Sequence, residues 1–418
     1  MFTSFSTALS ALNATSTAID VVGNNLANMN STGFKASEMS FSDLVTQSLG
    51  AGLGTTQVGF GTATPITLRQ FTQGAIQTTG GVLDGAISGQ GFFVVQDPTS
   101  GNVEYTRAGN FQTDASGNLM TASGDYVQGW TADSTGQIDS NNPVSNIVIP
   151  VGSLQPPVAT TTVSAELNLN SAAAADNTST FSMPITTYDS LGTSHVLTLS
   201  FVKTGANAWD YTATLPPNDL SDPTTAQVAT GSLVFSTDGT LDLTQTTTPV
   251  QFQVPQFADG ATAGGTITWN LTNSDGSGAI TQFDQPSASS SSAQDGQKAS
   301  QLVNVGLGNG GTLLAQYSDG QQVTVGQVAL ASIRNPGSMV AVGNNNFMLS
   351  AASASPNIGL PGTGGRGTIQ GGSIEASNVD IATEFTNLIV YQRGYEANGK
   401  VVSTADTLSQ DTINLING

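Results

Sequence analysis

The sequence predicts a mainly β protein with an α-helix at each end. Apolar residues recur at helical spacing only in residues 1–30 and 378–418. Between those stretches, short apolar runs alternate with polar residues and are broken by turn signals. That is the pattern of two antiparallel β domains of barrel or sandwich type. The 48 Gly and 16 Pro among 418 residues fit the same reading, because they favour turns and short strands.

In the N-terminal helix, Phe2, Phe5, Leu9, Leu12, Ser16, Ile19, Gly23 and Leu26 follow the 3,4 spacing of a heptad seam. Ala8, Ala11, Ala14 and Ala18 favour helix on intrinsic grounds. Asp20 is the only charge, so the charged flanks of a soluble coiled coil are missing. The helix runs into "NNLANMNSTGFK", residues 24–35. Asn24, Asn25, Asn28 and Asn30 offer amides that both donate and accept without adding charge. Leu26 and Met29 continue the seam, Gly33 permits a turn, and Phe34 anchors the chain that follows. The stretch reads as a junction between a helix and a body.

Residues 36–75 have no period. Gly50, Gly52, Gly54, Gly59 and Gly61 predict an extended or irregular connector. From residue 76, "GQGFFVVQ" reads as a short apolar strand, and turn signals at 114–118 and 123–125 divide the apolar runs after it. A second β region spans 152–285, where "TVSAELNLN", "VLTLSFV" and "TITWNLT" alternate and "LVFSTDGTLDL" is a hairpin turning at Asp238-Gly239. "QPSASSSSAQDG", residues 285–296, reads as a low-complexity link, after which strands resume. In the last segment, Ile381, Phe385, Leu388, Ile389, Tyr395, Val402, Ala405, Leu408, Thr412, Leu415 and Ile416 fall near a 3.6 period. Asn378 or Asp380 caps its start, Glu384 lies in its first turns, and Gly394 and Gly399 weaken it by about 1 kcal/mol each relative to Ala. Neither terminal helix is expected to be stable alone in water. Each needs the other, or neighbouring copies.

Composition narrows the function. Charged residues make up 9% of the chain, against about 25% in an average soluble protein. The net charge of -20 argues against nucleic acid and anionic membrane as partners. No apolar run approaches the ~18 residues that span a bilayer, so no membrane insertion is expected. The first basic residue is Lys35, so a cleavable secretory signal is not expected either. The absence of Cys excludes disulfides and thiolate sites. The one His, His195, reads as an ordinary strand residue, and a lone imidazole does not suggest a metal site. "GYEANGKV", residues 394–401, resembles a phosphate-binding loop but lies in mid-helix, with Val401 in place of the Mg²⁺-holding hydroxyl. "GLGNGG" (306–311) and "GTGGRG" (362–367) read as turns. No cofactor, metal or catalytic residue is singled out, and an enzyme is not expected.

The two ends carry a resemblance. "NNLANMNSTGFK" and the C-terminal "EASNVDIATEFTNLIVYQRGYEANGKVVSTADTL" resemble the terminal signatures of the axial proteins of the bacterial flagellum, the rod and hook subunits. "GAISGQGFFVVQ…YTRAGNFQTDASGNL" is similar to that family's first β domain, and "GQVALASIRNPGSM" to its return. The added strands at 152–285 point to the hook branch rather than a distal rod subunit. A secreted β-rich adhesin or fibre is the competing class, but it leaves heptad helices at both ends unexplained. The family usually has Ala where this chain has Gly394 and Gly399.

The resemblance implies a helical inner-core domain (1–35 and 375–418), a connector (36–75), a first β domain (76–151 and 297–374) and an inserted outer β domain (152–296). It implies a curved, flexible tube of identical subunits that acts as a universal joint between rod and filament. The implied partners are other copies, distal rod and hook-filament junction proteins, the hook cap during assembly, and the flagellar export apparatus. The location is extracellular, reached unfolded and without cleavage. The residues expected to carry assembly are Phe5, Leu9, Leu12, Ile19, Asn24, Asn25, Leu26, Asn28, Gly33, Phe34, Phe385, Leu388, Ile389, Tyr395, Val402 and Leu408. Low charge and the glycine connector are expected to make subunit contacts compliant, because neutral polar groups exchange partners with water at small net cost.

Overall fold

The computed structural model describes residues 2–44, 47–48, 57–133, 136–152, 154–176, 179–246, 250–262, 265–273 and 275–417. Gly50, Gly52 and Gly54 of the expected connector lie outside the described residues, as do the side chains of Phe2, Leu415 and Ile416. The chain divides into two compact units: residues 1–151, 303–316 and 322–418, and residues 152–302 with 317–321. The expected fold class holds: a mainly β chain with a helix at each end, and the two helices packed together.

In the first unit, α1 (Phe2–Ala27) and α2 (Ile381–Asn417) run antiparallel, with Asn25 bonded to Glu384 and Thr15 facing Gly394. Asp380 caps α2, its carboxylate accepting from Thr383 N at 3.0 Å. The helix continues through Gly394 and Gly399. A Cβ at Gly394 would touch Thr15 at 3.7 Å, whereas one at Gly399 would meet nothing.

The connector is more ordered than its sequence suggests. Ser37–Ser40 pairs antiparallel with Ile66–Arg69, and Gln47–Ser48 pairs with Gln57–Val58. "SEMS" and "ITLR" are too short and too exposed on one side to show a period. Gly61, at φ +101°, lies against α1, where Thr62 N donates to Ser10 Oγ.

The first β body is centred on Phe92–Gln96, whose first four residues are all buried. Phe92 and Val94 share one cluster with Tyr105, Trp130, Ala331 and Phe347, while Phe93 meets Phe111 edge-on at 4.9 Å. Burial on both faces explains why this strand reads as a continuous apolar run rather than an alternation. Its neighbours are Val103–Thr106, Tyr126–Thr131 and Leu330–Ser332, all antiparallel. Ile76–Thr78 pairs with Ser373–Glu375, and Gly85–Ser88 with Thr368–Gly371, which brings the chain back to the start of α2.

The second unit packs two sheets over one core. Thr180–Tyr188, Ser194–Gly205, Ala208–Thr214 and Gln227–Val234 form an antiparallel meander. In the second strand Leu197, Leu199 and Phe201 face inward, with His195 and Lys203 at its two ends on the same face. The other sheet holds Val250–Gln253, Thr266–Asn270, Thr162–Asn168, Ile280–Thr281 and Ala288–Gln294. Trp209, Trp269, Phe252 and Phe201 fill the space between the sheets.

Two details of this unit were not legible. Thr162–Asn168 pairs in parallel with Thr266–Asn270 and Ile280–Thr281, because alternation reports a half-buried strand but not its neighbour's direction. Residues 288–294, expected to be a link, form a strand along Val163–Asn168. This "ASSSSAQ" strand is exposed almost throughout, so nothing in it alternates. The expected hairpin turn is present: Ser236 N donates to Thr240 O, and Gly239 has φ +82°.

Truncating Phe201, which is fully buried in this core, is expected to destabilise the second unit by about 3–5 kcal/mol for Phe201→Ala. Denaturant unfolding followed by the fluorescence of Trp209 and Trp269 measures it.

Candidate functional site

The residues expected at the helix-to-body junction converge on one carboxylate that sequence reasoning did not select. Glu375 is fully buried just before α2. Its Oε1 accepts from Lys35 Nζ at 2.6 Å and from Gly74 N at 2.8 Å, and its Oε2 accepts from Arg107 Nη1 at 3.0 Å. Lys35 also donates to Thr72 O, and Arg107 to Gly89 O. The Arg107 guanidinium lies 5.3 Å from the Phe92 ring centre, which ties the cluster to the body core. Burial holds the Lys35 ammonium below its usual range. The Glu375 carboxylate opposes that shift, and Arg107 adds to it.

Backbone and amide contacts lock the same place. Gly33 N donates to Glu375 O at 2.8 Å. Gly33 has φ +68°, and a Cβ there would come within 2.5 Å of the Arg107–Ala108 backbone, so only glycine fits. Asn25 is buried at the end of α1. Its Nδ2 donates to Ser37 O at 2.8 Å and its Oδ1 accepts from Ser37 N at 2.9 Å. One side-chain amide thus pairs with both backbone groups of Ser37, as a neighbouring strand would. Asn25 Nδ2 also donates to Glu384 Oε1 at 2.9 Å. Asn378 does similar work from the other side: its Oδ1 accepts from Ala36 N, and its Nδ2 donates to Gln70 O.

The other expected residues separate into groups. Phe34 is buried, and its carbonyl accepts from Asn378 N. Asn24 and Asn28 bond each other where α1 ends, and Asn28 Oδ1 accepts from Ser31 Oγ. Leu12, Ile19, Leu26, Leu388 and Val402 are half-buried. Phe5, Leu9, Phe385, Ile389, Tyr395 and Leu408 are 42–54% exposed. The face of α1 that is buried in the chain carries Ala8, Ala18, Val22 and Asn25, one residue short of the Leu9, Ile19, Gly23 and Leu26 positions of the apolar heptad. The small side chains of α1 are therefore the ones fully buried, Leu12, Ile19 and Leu26 are half-buried, and Phe5 and Leu9 are left on the surface.

Lys35, Arg107, Glu375 and Glu384 were missed as site residues. One signal was available for the first two. A chain with only 9 Lys and Arg places one in each of two family-like stretches, "NSTGFK" and "YTRAGN".

Glu375→Gln leaves two buried cations without a counter-charge, so the first unit should lose about 3–5 kcal/mol, measured by denaturant unfolding. The Glu384 carboxyl is pushed up from its ordinary value by burial and by Asp380 and Glu38, against the opposing Asn25 hydrogen bond. An acid raised in the fold binds its proton more tightly folded than unfolded. Its contribution is therefore fully present below the ordinary carboxyl value and is lost as pH rises through the folded value. Glu384→Gln should remove that loss, so the difference in melting temperature between variant and parent should grow in the variant's favour from pH 4 to pH 8.

The comparisons with known proteins cover every part of this layout. Residues 5–35 match the model described as Flagella basal body rod protein, and 86–166 the Flagellar hook protein FlgE/F/G D1 domain. Residues 158–297 match the Flagellar basal body protein FlaE D2 domain, and 370–415 the Flagellar basal body rod FlgEFG protein C-terminal model. The chain is 33% identical to the flagellar hook protein FlgE of Escherichia coli, over 98% of this chain and 99% of the relative. It is 33% identical to that of Borreliella burgdorferi over the whole of both chains. A crystal structure of the Helicobacter pylori flagellar hook protein FlgE2 shares the fold, with a TM-score of 0.52 at 13% identity, covering 70% of this chain and 99% of that one.

Proposed function

The chain belongs to the flagellar hook protein family, and from that premise we propose how its residues build a hook. The chain is a structural subunit of the hook, exported to the flagellum, and its copies polymerise. The observation that carries the reading is the exposed apolar surface of the helix pair. Ile381, Phe385, Ile389, Val390, Tyr395 and Leu408 of α2 stand in solvent in a single chain, as do Phe5 and Leu9 of α1. A surface of this size is unfavourable in water and favourable against another copy, at about 25 cal/mol per Å² of apolar area buried. α2 has 37 residues against 26 in α1, so its C-terminal turns run past their partner and gain most from a neighbour.

A contact between different faces of identical subunits does not close on itself, and it generates a helical tube. The terminal helices form the wall of that tube, and the junction at Glu375 fixes the angle at which the β body leaves it. With 9% charged residues, the bodies meet neighbours largely through Ser, Thr, Asn and Gln. Such contacts can lengthen and shorten as a curved tube rotates, because water replaces each lost hydrogen bond. Distal rod and hook-filament junction proteins, the hook cap and the export apparatus are the expected partners. The chain works outside the cell as a joint and carries out no catalysis.

Ile389→Asp places a charge on this exposed surface without touching the junction. It should abolish tube formation, seen by electron microscopy, while leaving the melting temperature of the single chain within about 1 °C. Tubes that still form with the variant would remove the α2 surface from the assembly contact.

A further inference from the structure

His195 is the only imidazole in the chain, and it is surrounded by carboxylates. It sits at the inward end of its strand, 3% exposed, stacked on the Phe257 ring at 3.8 Å and 9°. Its Nδ1 lies 2.9 Å from Asp219 Oδ2 and its Nε2 lies 3.0 Å from Asp189 Oδ2. A carboxylate oxygen of Asp259 joins Asp189 and the ring, so that the three ligand atoms lie within 4.8 Å of one another.

In the tautomer whose Nδ1–H donates to Asp219 Oδ2, the Nε2 lone pair turns toward two carboxylates. Three electron-pair donors then face one another, and something positive belongs between them. A carboxylate that orients a histidine through its far nitrogen is the usual companion of a metal-bound imidazole. We propose that Asp189, His195 and Asp259 bind one divalent cation of borderline softness, with Asp219 as the positioning residue.

The donor set, one imidazole nitrogen and two carboxylates, suits Zn²⁺ or Mn²⁺ better than Mg²⁺ or a thiolate-seeking metal. Ligand atoms about 2.1 Å from an ion lie at most about 4.2 Å apart. Closing the site therefore takes a small inward turn of the exposed Asp259, whose Oδ1 accepts from Ala261 N. The other ligands are already held. Asp189 Oδ1 accepts from Leu191 N and Thr193 N, which leaves Oδ2 for the ion. The site remains open to water, since a cavity of about 280 Å³ lined by Asp189, Phe257 and Thr262 adjoins it. The ion would tie the Asp189 turn to the Asp259 loop at one end of the second unit. A strand-end histidine would thereby become a clamp that a chelator can release.

The single histidine makes the test unambiguous. Tag-free, full-length monomeric chain is titrated with ZnCl₂ and separately with MnCl₂, and the Cε1–H signal of the one imidazole is followed by NMR. One equivalent of Zn²⁺ should shift it saturably, Mn²⁺ should broaden it, and the melting temperature should rise and then fall back on adding EDTA. Asp259→Asn keeps the side-chain oxygen that accepts from Ala261 N, so it should fold normally. Its Zn²⁺ affinity should be at least about tenfold weaker, as should that of Asp219→Asn. An imidazole signal unmoved at millimolar Zn²⁺, or unchanged affinity in Asp259→Asn, would overturn the proposal and leave a proton as the occupant of the gap.

Discussion

The buried carboxylate of Glu375 is the constraint on which the first unit depends. An ionised carboxyl out of water needs its oxygens filled, and here the donors come from positions 35, 74 and 107. Lys35 follows α1, Gly74 ends the connector, and Arg107 belongs to the first β body, while Glu375 itself leads into α2. Four remote stretches are therefore held to one point by charge-assisted bonds that no shifted arrangement would satisfy. Gly33 lets the chain pass close enough to reach that point, and Asn25 and Asn378 complete the backbone pairing around it.

The helices contrast with this root. Thr15 faces Gly394 between them, and the buried apolar residues of α1 are Ala8, Ala14, Ala18 and Val22, small side chains that allow close approach but bury little apolar area. Phe5, Leu9, Phe385 and Ile389 face away, and Leu12, Ile19, Leu26 and Leu388 are half-buried. A lone chain thus has a junction in which Glu375 is fully bonded, and a helix pair that is incomplete until copies meet. The asparagines serve the same division. Asn25 is spent inside the junction, while Asn24 and Asn28 finish the helix at its surface.

Much of this was legible in the sequence. Both terminal helices, the buried strand at Phe92, the alternating strands of the second unit and the turn at Asp238-Gly239 follow from period and turn chemistry. The Asn-rich motif was recognised as a junction, but Lys35, Arg107 and Glu375 are 72 to 340 residues apart in pairwise contact or separation, and a single sequence carries no record of such meetings. The heptad positions, six of the eight apolar, predict one seam. The chain instead buries the adjacent small-residue stripe, a choice made by packing distance rather than hydrophobicity. The strand at 37–40 is four residues long with a buried Ser at one inward position, too short and too polar to show a period, and the strand at 288–294 is exposed almost throughout and has no alternation to read. His195 looked ordinary because the three aspartates around it come from separate loops.

Hydrogen exchange of the single chain, read amide by amide, tests most directly whether the junction belongs to the β body and the helices do not. The Gly33 and Gly74 amides both donate to Glu375, and Phe92–Gln96 lies at the centre of the body. The account predicts that Gly33 and Gly74 exchange as slowly as Phe92–Gln96, with the mid-helix amides of α1 exchanging at least about a hundredfold faster. Gly33 and Gly74 exchanging at the rate of α1 would contradict it.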